Sequence, residues 1–294
     1  MMVCWGYTIR KENDQKSAFS AATERAERTI PPMLAPRNLP NQFAEWNRRW
    51  HAPSGRYDAI AQRLGRRNFL GMFYRGPFGY QTNNSTRAYE YPWAYHQISS
   101  LGRGLRIVEL GAGLSGLQLV LAREGHRVLN VDPGLEAAGV SFDLDQQLHR
   151  KLCRAFRSPV DLVSTTIGWA GIPDSSVDVL LSVSALEHFA VEALDELSIH
   201  TRRILQPRGV VILTVDLFLD LHPFCDARSN VYGRNVDLRD LLGRASLDLR
   251  TGNREELFGF PEFDPRRILS RLSKYHLGTG YPALAQCLVA TVRS

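Results

Sequence analysis

Two groups of residues in this chain have the types and spacing for chemistry. Glu109, Gly111, Gly113 and Gly116 stand in the order E-x-G-x-G-x-x-G at the end of an apolar run, and Asp132 closes the next one. Glycines at such a turn let the backbone pass close to a ligand, because no Cβ intervenes and positive φ costs little. An acid at the end of the following strand can accept hydrogen bonds from both hydroxyls of a ribose. Together they point to a nucleoside-bearing cofactor, although the glycine pattern alone is shared with unrelated turns. The second group is Ser184-Ala-Leu-Glu-His188, followed later by Asp216, Asp220 and His222. A histidine titrates near neutrality and can take a proton from a substrate, which makes His188 the first candidate base and His222 the second.

The elements that must position these residues alternate strand and helix from about residue 101 onward, which is the α/β pattern. Strands are expected near 105–110, 127–132, 160–167, 177–183 and 210–215, with a final one near 285–292. Helices are expected from Ser115, over 142–156 and over 191–205, the second with Leu144, Leu148, Leu152 and Phe156 along one face. Gln206-Pro-Arg-Gly209 reads as the turn into the fifth strand. Further on, a helix is expected near 236–244, a strand near 246–250 and a helix near 265–275. The loops at about 217–235 and 253–283 are long enough to cover the active face.

Residues 1–100 read as a separate N-terminal extension, and 101–294 as the main domain. The first 40 residues read as a loosely held arm with a short helix from Ser17 to Thr29. Phe43, Trp46 and Trp50 fall at helical spacing, so one aromatic face could dock on the main domain, with simple packing as the preferred reading. The stretch from Gly65 to Tyr95 is dense in aromatic residues that would be costly to leave in water, and it is expected to fold over the cofactor cleft. Tyr89, Tyr91 and Trp93 would then line the substrate pocket or close over the cofactor, with core packing as the alternative, while Arg87, Glu90 and His96 bring polar groups.

Composition narrows the class. At 294 residues, 44% hydrophobic and 22% charged, the chain has material for a sizeable core. The net charge of +6 invites nucleic acid, but the basic residues are dispersed, and only four of the 36 Lys and Arg are lysines. Cys4, Cys153, Cys225 and Cys287 make no C-x-x-C pair, which fits a reduced cytoplasmic protein with no metal site. The first twelve residues lack the apolar core of a signal peptide, and no run is long enough to span a membrane.

The stretches VELGAGLSG, NVDPG, IPDSSVDVLLSVSALEHF and ILQPRGVVILTVD, in this order, resemble the motifs of the class I S-adenosylmethionine-dependent methyltransferases over residues 101–294. The glycine loop alone also fits a nicotinamide oxidoreductase, whose loop usually opens the chain and lacks the preceding acid. The resemblance implies a Rossmann-like, seven-stranded, doubly wound sheet with the last strand antiparallel, and S-adenosyl-L-methionine as cofactor. It further implies that Glu109 orients the loop or reaches the methionine amine through water, and that Gly111, Ala112, Gly113 and Gly116 approach the cofactor. Asp132 would hold the ribose, Pro133 would pack near the adenine, and Ser184 would run beside the methionine part. Where many relatives carry an acid for the adenine amine, this chain has Gly168-Trp169-Ala170, so Trp169 and Ala170 are expected against the ring, or in plain loop packing.

Methyl transfer from a sulfonium needs an aligned nucleophile and, at most, removal of its proton. His188 and His222 are the expected catalytic residues, and Tyr89, Tyr91, Trp93, Asp216 and Asp220 the expected substrate contacts. Glu187 and His188 could hold a divalent metal only if Asp216 or His222 completed the set, because Ser184 stands where metal-using relatives have an acid. The expected partners are a small-molecule acceptor, methylated on oxygen, and a second copy of the chain, rather than nucleic acid or a membrane. An RNA or peptide methyltransferase and a non-catalytic cofactor-binding protein are the alternatives.

Overall fold

The structure, a computed structural model, describes residues 33–136 and 144–293. Among the described residues four α-helices come first: α1 (Asn41–Trp50), α2 (Ala59–Arg63), α3 (Phe69–Arg75) and α4 (Arg87–Leu101). The alternating part follows as β1 (Arg106–Leu110), α5 (Gly116–Arg123), β2 (Arg127–Val131), α6 (Gln146–Phe156), β3 (Val160–Val163), β4 (Val177–Val183), α7 (Val191–Ile204) and β5 (Leu205–Phe218). It closes with α8 (Leu238–Arg244), β6 (Leu247–Thr251), α9 (Pro265–Ser270) and β7 (Ala283–Val292). The helix expected over 17–29, and Phe142 at the start of another, lie outside the described residues.

The seven strands form one sheet in the order β3-β2-β1-β4-β5-β7-β6. All pairings are parallel except those of β7, which runs antiparallel to both β5 and β6. This is the Rossmann-like sheet that the motifs imply. Helices cover both faces, and strand alternation feeds each one: Ile107, Leu181 and Ile212 enter one core, while Val108, Leu180 and Val211 enter the other. The order reverses between β1 and β4, so a crevice opens beyond their carboxyl ends, where sheets of this type bind ligands. Gln206–Gly209 is a bulge: β4 moves from Val177 to Val179 while β5 moves from Leu205 to Val210.

The aromatic extension packs into the same core as the sheet. Phe43, Trp46, Phe78, Tyr89, Tyr91 and Trp93 are buried with Ile107 and Leu117, and Phe78 lies 5.6 Å from Trp46 and 5.0 Å from Tyr91 between ring centroids. Pro92 sits inside α4, where it removes the hydrogen bond to the Ala88 carbonyl four residues back. Asn47 of α1 donates to that carbonyl at 2.7 Å, so the proline's vacancy is filled by the helix that docks on it.

The expectation of a loose arm up to residue 40 fails at Met33–Pro36. Met33, Leu34 and Ala35 are buried. Ala35 N donates to Ala285 O at 3.0 Å, and Cys287 N donates to Met33 O at 2.6 Å. The reason is an open edge: β6 pairs with β7 only from Val289 onward, and this segment covers the part of β7 that β6 leaves free. Among the described residues no helix is long and apolar enough to cross a membrane.

Candidate active site

On the β1–β2 side of the crevice the glycine turn is held from four directions. Asp132 Oδ2 accepts from Gly113 N at 2.7 Å, and its Oδ1 accepts from Gly134 N at 2.8 Å. The Gly113 carbonyl accepts from Asn130 Nδ2 and Gln118 Nε2, both at 3.1 Å. Gln81, from the extension, accepts from Leu114 N at 2.9 Å. Gly111 and Gly113 have φ of 63° and 55°. A Cβ on Gly111 would stand 2.8 Å from that of Ala185, so the turns after β1 and β4 touch across the crevice. Ser115 caps α5 by accepting from Leu117 N.

Two features of this half suit a cofactor with an amine and a ribose. Glu109 is 1% exposed, and its Oε2 has no hydrogen-bond partner among the described residues. Burial, with the charge of Asp132 beside it, pushes its carboxyl up to about 8. That is an acceptor lacking its donor, and an ammonium group would supply one. Asp132 spends one lone pair of each oxygen on the backbone and keeps the others for two hydroxyls. The residues therefore fit S-adenosylmethionine, whose amine would face Glu109 and whose ribose would face Asp132.

Beside this lies an apolar cleft whose walls include Leu110, Val131, Pro133, Ile167, Phe189 and Glu196. Glu196 was not legible as a site residue. Its Oε1 accepts from the Thr166 hydroxyl at 2.9 Å and from Gly168 N at 3.0 Å, which ties α7 to the loop after β3. Trp169 is 84% exposed and is not among the residues that line this cleft, next to Gly168, whose N–H is held by Glu196. Ala170 instead packs against the second core.

On the β4–β5 side, Ser184 adopts φ 41°, in the left-handed region, with its N–H bonded to the Thr214 carbonyl at 2.8 Å. Its hydroxyl donates to Glu90 Oε1 at 2.5 Å. Arg87 Nη1 lies 2.5 Å from Glu90 Oε2 and 3.6 Å from Asp216 Oδ1, all three buried. Burial alone would raise Glu90, but Arg87 and the hydroxyls of Ser184 and Thr214 hold it below the usual carboxylate range. Asp216 is pushed up to about 6 by burial, against the pull of Arg87. His188 Nδ1 bonds the Tyr232 carbonyl, which makes Nδ1 the protonated atom and Nε2 the one with the lone pair. Burial holds its pKa below 6.5, so the ring is neutral at neutral pH.

The structure thus brings Ser184, His188 and Asp216 to one place and leaves two other candidates elsewhere. His222 is exposed, with its ring 6.1 Å from Phe258 and its backbone bonded to Ala227 and Asn235. Asp220 is exposed and accepts from Asn230 Nδ2 at 3.2 Å, bracing its own loop. Tyr89 and Trp93 are core residues, because α4 lies flat against the sheet and turns them inward. Tyr91 is also buried, and its hydroxyl donates to Asn83 at 2.9 Å. No group of three His, Cys, Asp or Glu among the described residues is arranged to hold a metal ion.

Residues 108–213 match the family model described as a methyltransferase domain. This stretch is a methyltransferase domain. The match runs from β1 through most of β5 and so contains the glycine turn, Asp132, Ser184 and His188, while Arg87, Glu90, Asp216, Tyr232 and Tyr281 lie outside it. Among solved structures, the methyltransferase domain is similar to a TehB-like SAM-dependent methyltransferase from Corynebacterium glutamicum, at 16% identity and TM-score 0.42, over 68% of this chain and 87% of that one. It is similar to 1,6-didemethyltoxoflavin-N1-methyltransferase from Burkholderia thailandensis, solved with S-adenosylhomocysteine, at 17% identity and TM-score 0.44, over 69% and 77%. The cyclase SpnF matches at 13% identity and TM-score 0.49, over 90% and 98%. A search of curated proteins finds no match.

Proposed function

We propose that the protein transfers a methyl group from S-adenosylmethionine to an oxygen of a small-molecule acceptor, with His188 as the base that takes the acceptor's proton. The observation that carries this reading is the closed character of the β4–β5 side. Arg87 and Glu90 from the extension, Tyr232 from the loop after β5 and Tyr281 from the loop before β7 all converge on Ser184, His188 and Asp216. A side covered by three separate elements suits a small molecule better than a strand of RNA or a peptide. In this reading the extension, residues 1–100, contributes a wall of the acceptor site, and the chain works in the cytoplasm.

When bound, S-adenosylmethionine supplies a methyl carbon activated by the adjacent sulfonium, and the protein has to aim a nucleophile at it. Asp132 and the Gly111–Gly113 turn fix the nucleoside end, and Glu109 holds the amine. The turn after β4 touches the turn after β1 at Ala185, so the acceptor side is set at a fixed distance from the cofactor side. His188 is in its neutral form, with Nδ1–H anchored on the Tyr232 carbonyl, and Nε2 is the atom that receives the acceptor's proton.

The test is incubation of the full chain with methyl-labelled S-adenosylmethionine and, separately, a small-metabolite extract, total RNA and a peptide pool. The expected result is label in the metabolite fraction alone. Label in RNA or peptide would overturn the acceptor class, and cofactor binding without transfer to any fraction would favour a non-catalytic protein.

A further inference from the structure

The buried charges at the ends of β4 and β5 do not balance. Arg87 faces three carboxyl groups, those of Glu90, Asp216 and Glu187. Its closest contact, at 2.5 Å, is with Glu90, which the Ser184 hydroxyl also satisfies. Asp216 receives one hydrogen bond, from the Tyr281 hydroxyl to Oδ2 at 2.6 Å, and its Oδ1 has none among the described residues. Glu187 is 0% exposed, and neither of its oxygens has a hydrogen-bond partner among the described residues. The charges that act on it are those of Asp216, Arg87 and Glu90.

A carboxyl group buried with both oxygens unmet costs stability, and a leucine or glutamine at position 187 would avoid the charge altogether. Burial and Asp216 push the Glu187 carboxyl well above the usual range, which favours its protonated form. A cation brought against these carboxyls would change that balance, because it gives the unmet oxygens donors and lets the carboxyl ionise. The surroundings suit an organic cation. Tyr232 and Tyr281 pack on one another, 4.4 Å between ring centroids and at 32°, beside Asp216, and an aromatic pair of this kind attracts a cation at its outer face. The chain around Tyr232 rests directly on Glu187: Arg234 N donates to the Glu187 carbonyl at 3.0 Å, and a Cβ on Gly233 would come within 2.1 Å of that oxygen. Tyr232 is 36% exposed, so this turn, which rests on the Glu187 backbone, reaches the surface.

We propose that Glu187 and Asp216 form the counter-charge for a cationic nitrogen of the methyl acceptor, with the packed Tyr232–Tyr281 pair as the aromatic side of its site. The acceptor class is therefore a small molecule that carries a basic amine, whichever of its atoms receives the methyl group. This rests on the methyl-transfer reading above. The titratable and charged groups that share the site are Arg87 and Glu90 from α4, His188 next to Glu187, Asp216 from β5 and Tyr281.

Methylammonium chloride is the minimal probe, since it carries the charge and little shape. The full chain saturated with S-adenosylhomocysteine is melted in methylammonium chloride and in the same concentration of sodium chloride, alongside Glu187→Gln. Wild type should melt about 2 °C or more higher in methylammonium, and Glu187→Gln should show no difference between the salts while remaining folded and binding S-adenosylhomocysteine as before. Equal responses of the two proteins would overturn the site. A second arm divides the metabolite extract on a cation exchanger at neutral pH and supplies labelled S-adenosylmethionine. Label in the retained fraction, reduced a hundredfold or more by Glu187→Gln, is the expected result. Label only in unretained acceptors would overturn the amine while leaving methyl transfer intact. Absence of label in both fractions would count against methyl transfer itself, and the melting comparison would then decide the cation site alone.

Discussion

The Tyr281 hydroxyl donates to Asp216 Oδ2 across 2.6 Å and so pins the loop before β7 to the carboxyl half of β5. A hydrogen bond to a buried charged acceptor contributes about 1.5–3 kcal/mol. Tyr281→Phe should therefore lower the unfolding free energy by about that amount, measured by urea denaturation. A change below 0.5 kcal/mol, on the order of what a surface substitution gives, would mean that the bond does not form.

Glu109 makes the protein's stability fall with pH in a defined window. Its folded carboxyl titrates at about 8 against an ordinary value of 4.5, so between these limits the folded state holds a proton that the unfolded chain has released. Stability declines as pH rises from 4.5 to about 8 and then levels off, with a slope of up to about 1.4 kcal/mol per pH unit from this one group. Glu109→Gln should remove that part of the slope in the cofactor-free protein. Matching pH profiles of the two proteins would show that Glu109 is ionised throughout.

Gly116 connects the glycine turn to the extension. A Cβ there would stand 2.7 Å from ring atoms of Phe78, and a packed ring cannot give way as a flexible side chain does. Gly116→Ala should cost about 1–3 kcal/mol, and adding Phe78→Leu should recover part of that loss. Strictly additive effects in the double variant would contradict the contact.

How far the sequence could be read differs between the two halves of the crevice. The cofactor side is local: Glu109 to Gly116 and Asp132 lie on consecutive strands, so spacing alone revealed them. The acceptor side joins Arg87 and Glu90 to Ser184, Glu187, Asp216 and Tyr281, residues that are distant in the chain and share no spacing signal. Pro92 hid α4, because a proline in mid-helix reads as a break unless the Asn47 side chain that replaces the lost bond is known. Leu34 looked like part of a polar arm, and only the incomplete pairing of β6 with β7 explains why it is buried. Glu196, which holds the loop beside Trp169, lies on a different element and shares no spacing signal with it.

His188 should carry the pH dependence of transfer. Burial places its pKa below 6.5, so the acid limb of kcat/KM falls there. His188→Ala should reduce kcat by about 10²–10⁴ and abolish that limb, with the affinity for S-adenosylhomocysteine unchanged. A variant that keeps the limb would assign the base elsewhere.

The central claim is that the turn after β1 and Asp132 hold S-adenosylmethionine, and calorimetric titration of the full chain with S-adenosylhomocysteine tests it most directly. The expected result is saturable binding of one molecule per chain, weakened about a hundredfold in Asp132→Ala, which loses two hydrogen bonds to a charged acceptor. Absence of saturable binding in the folded wild-type protein, or equal affinity in Asp132→Ala, would contradict it.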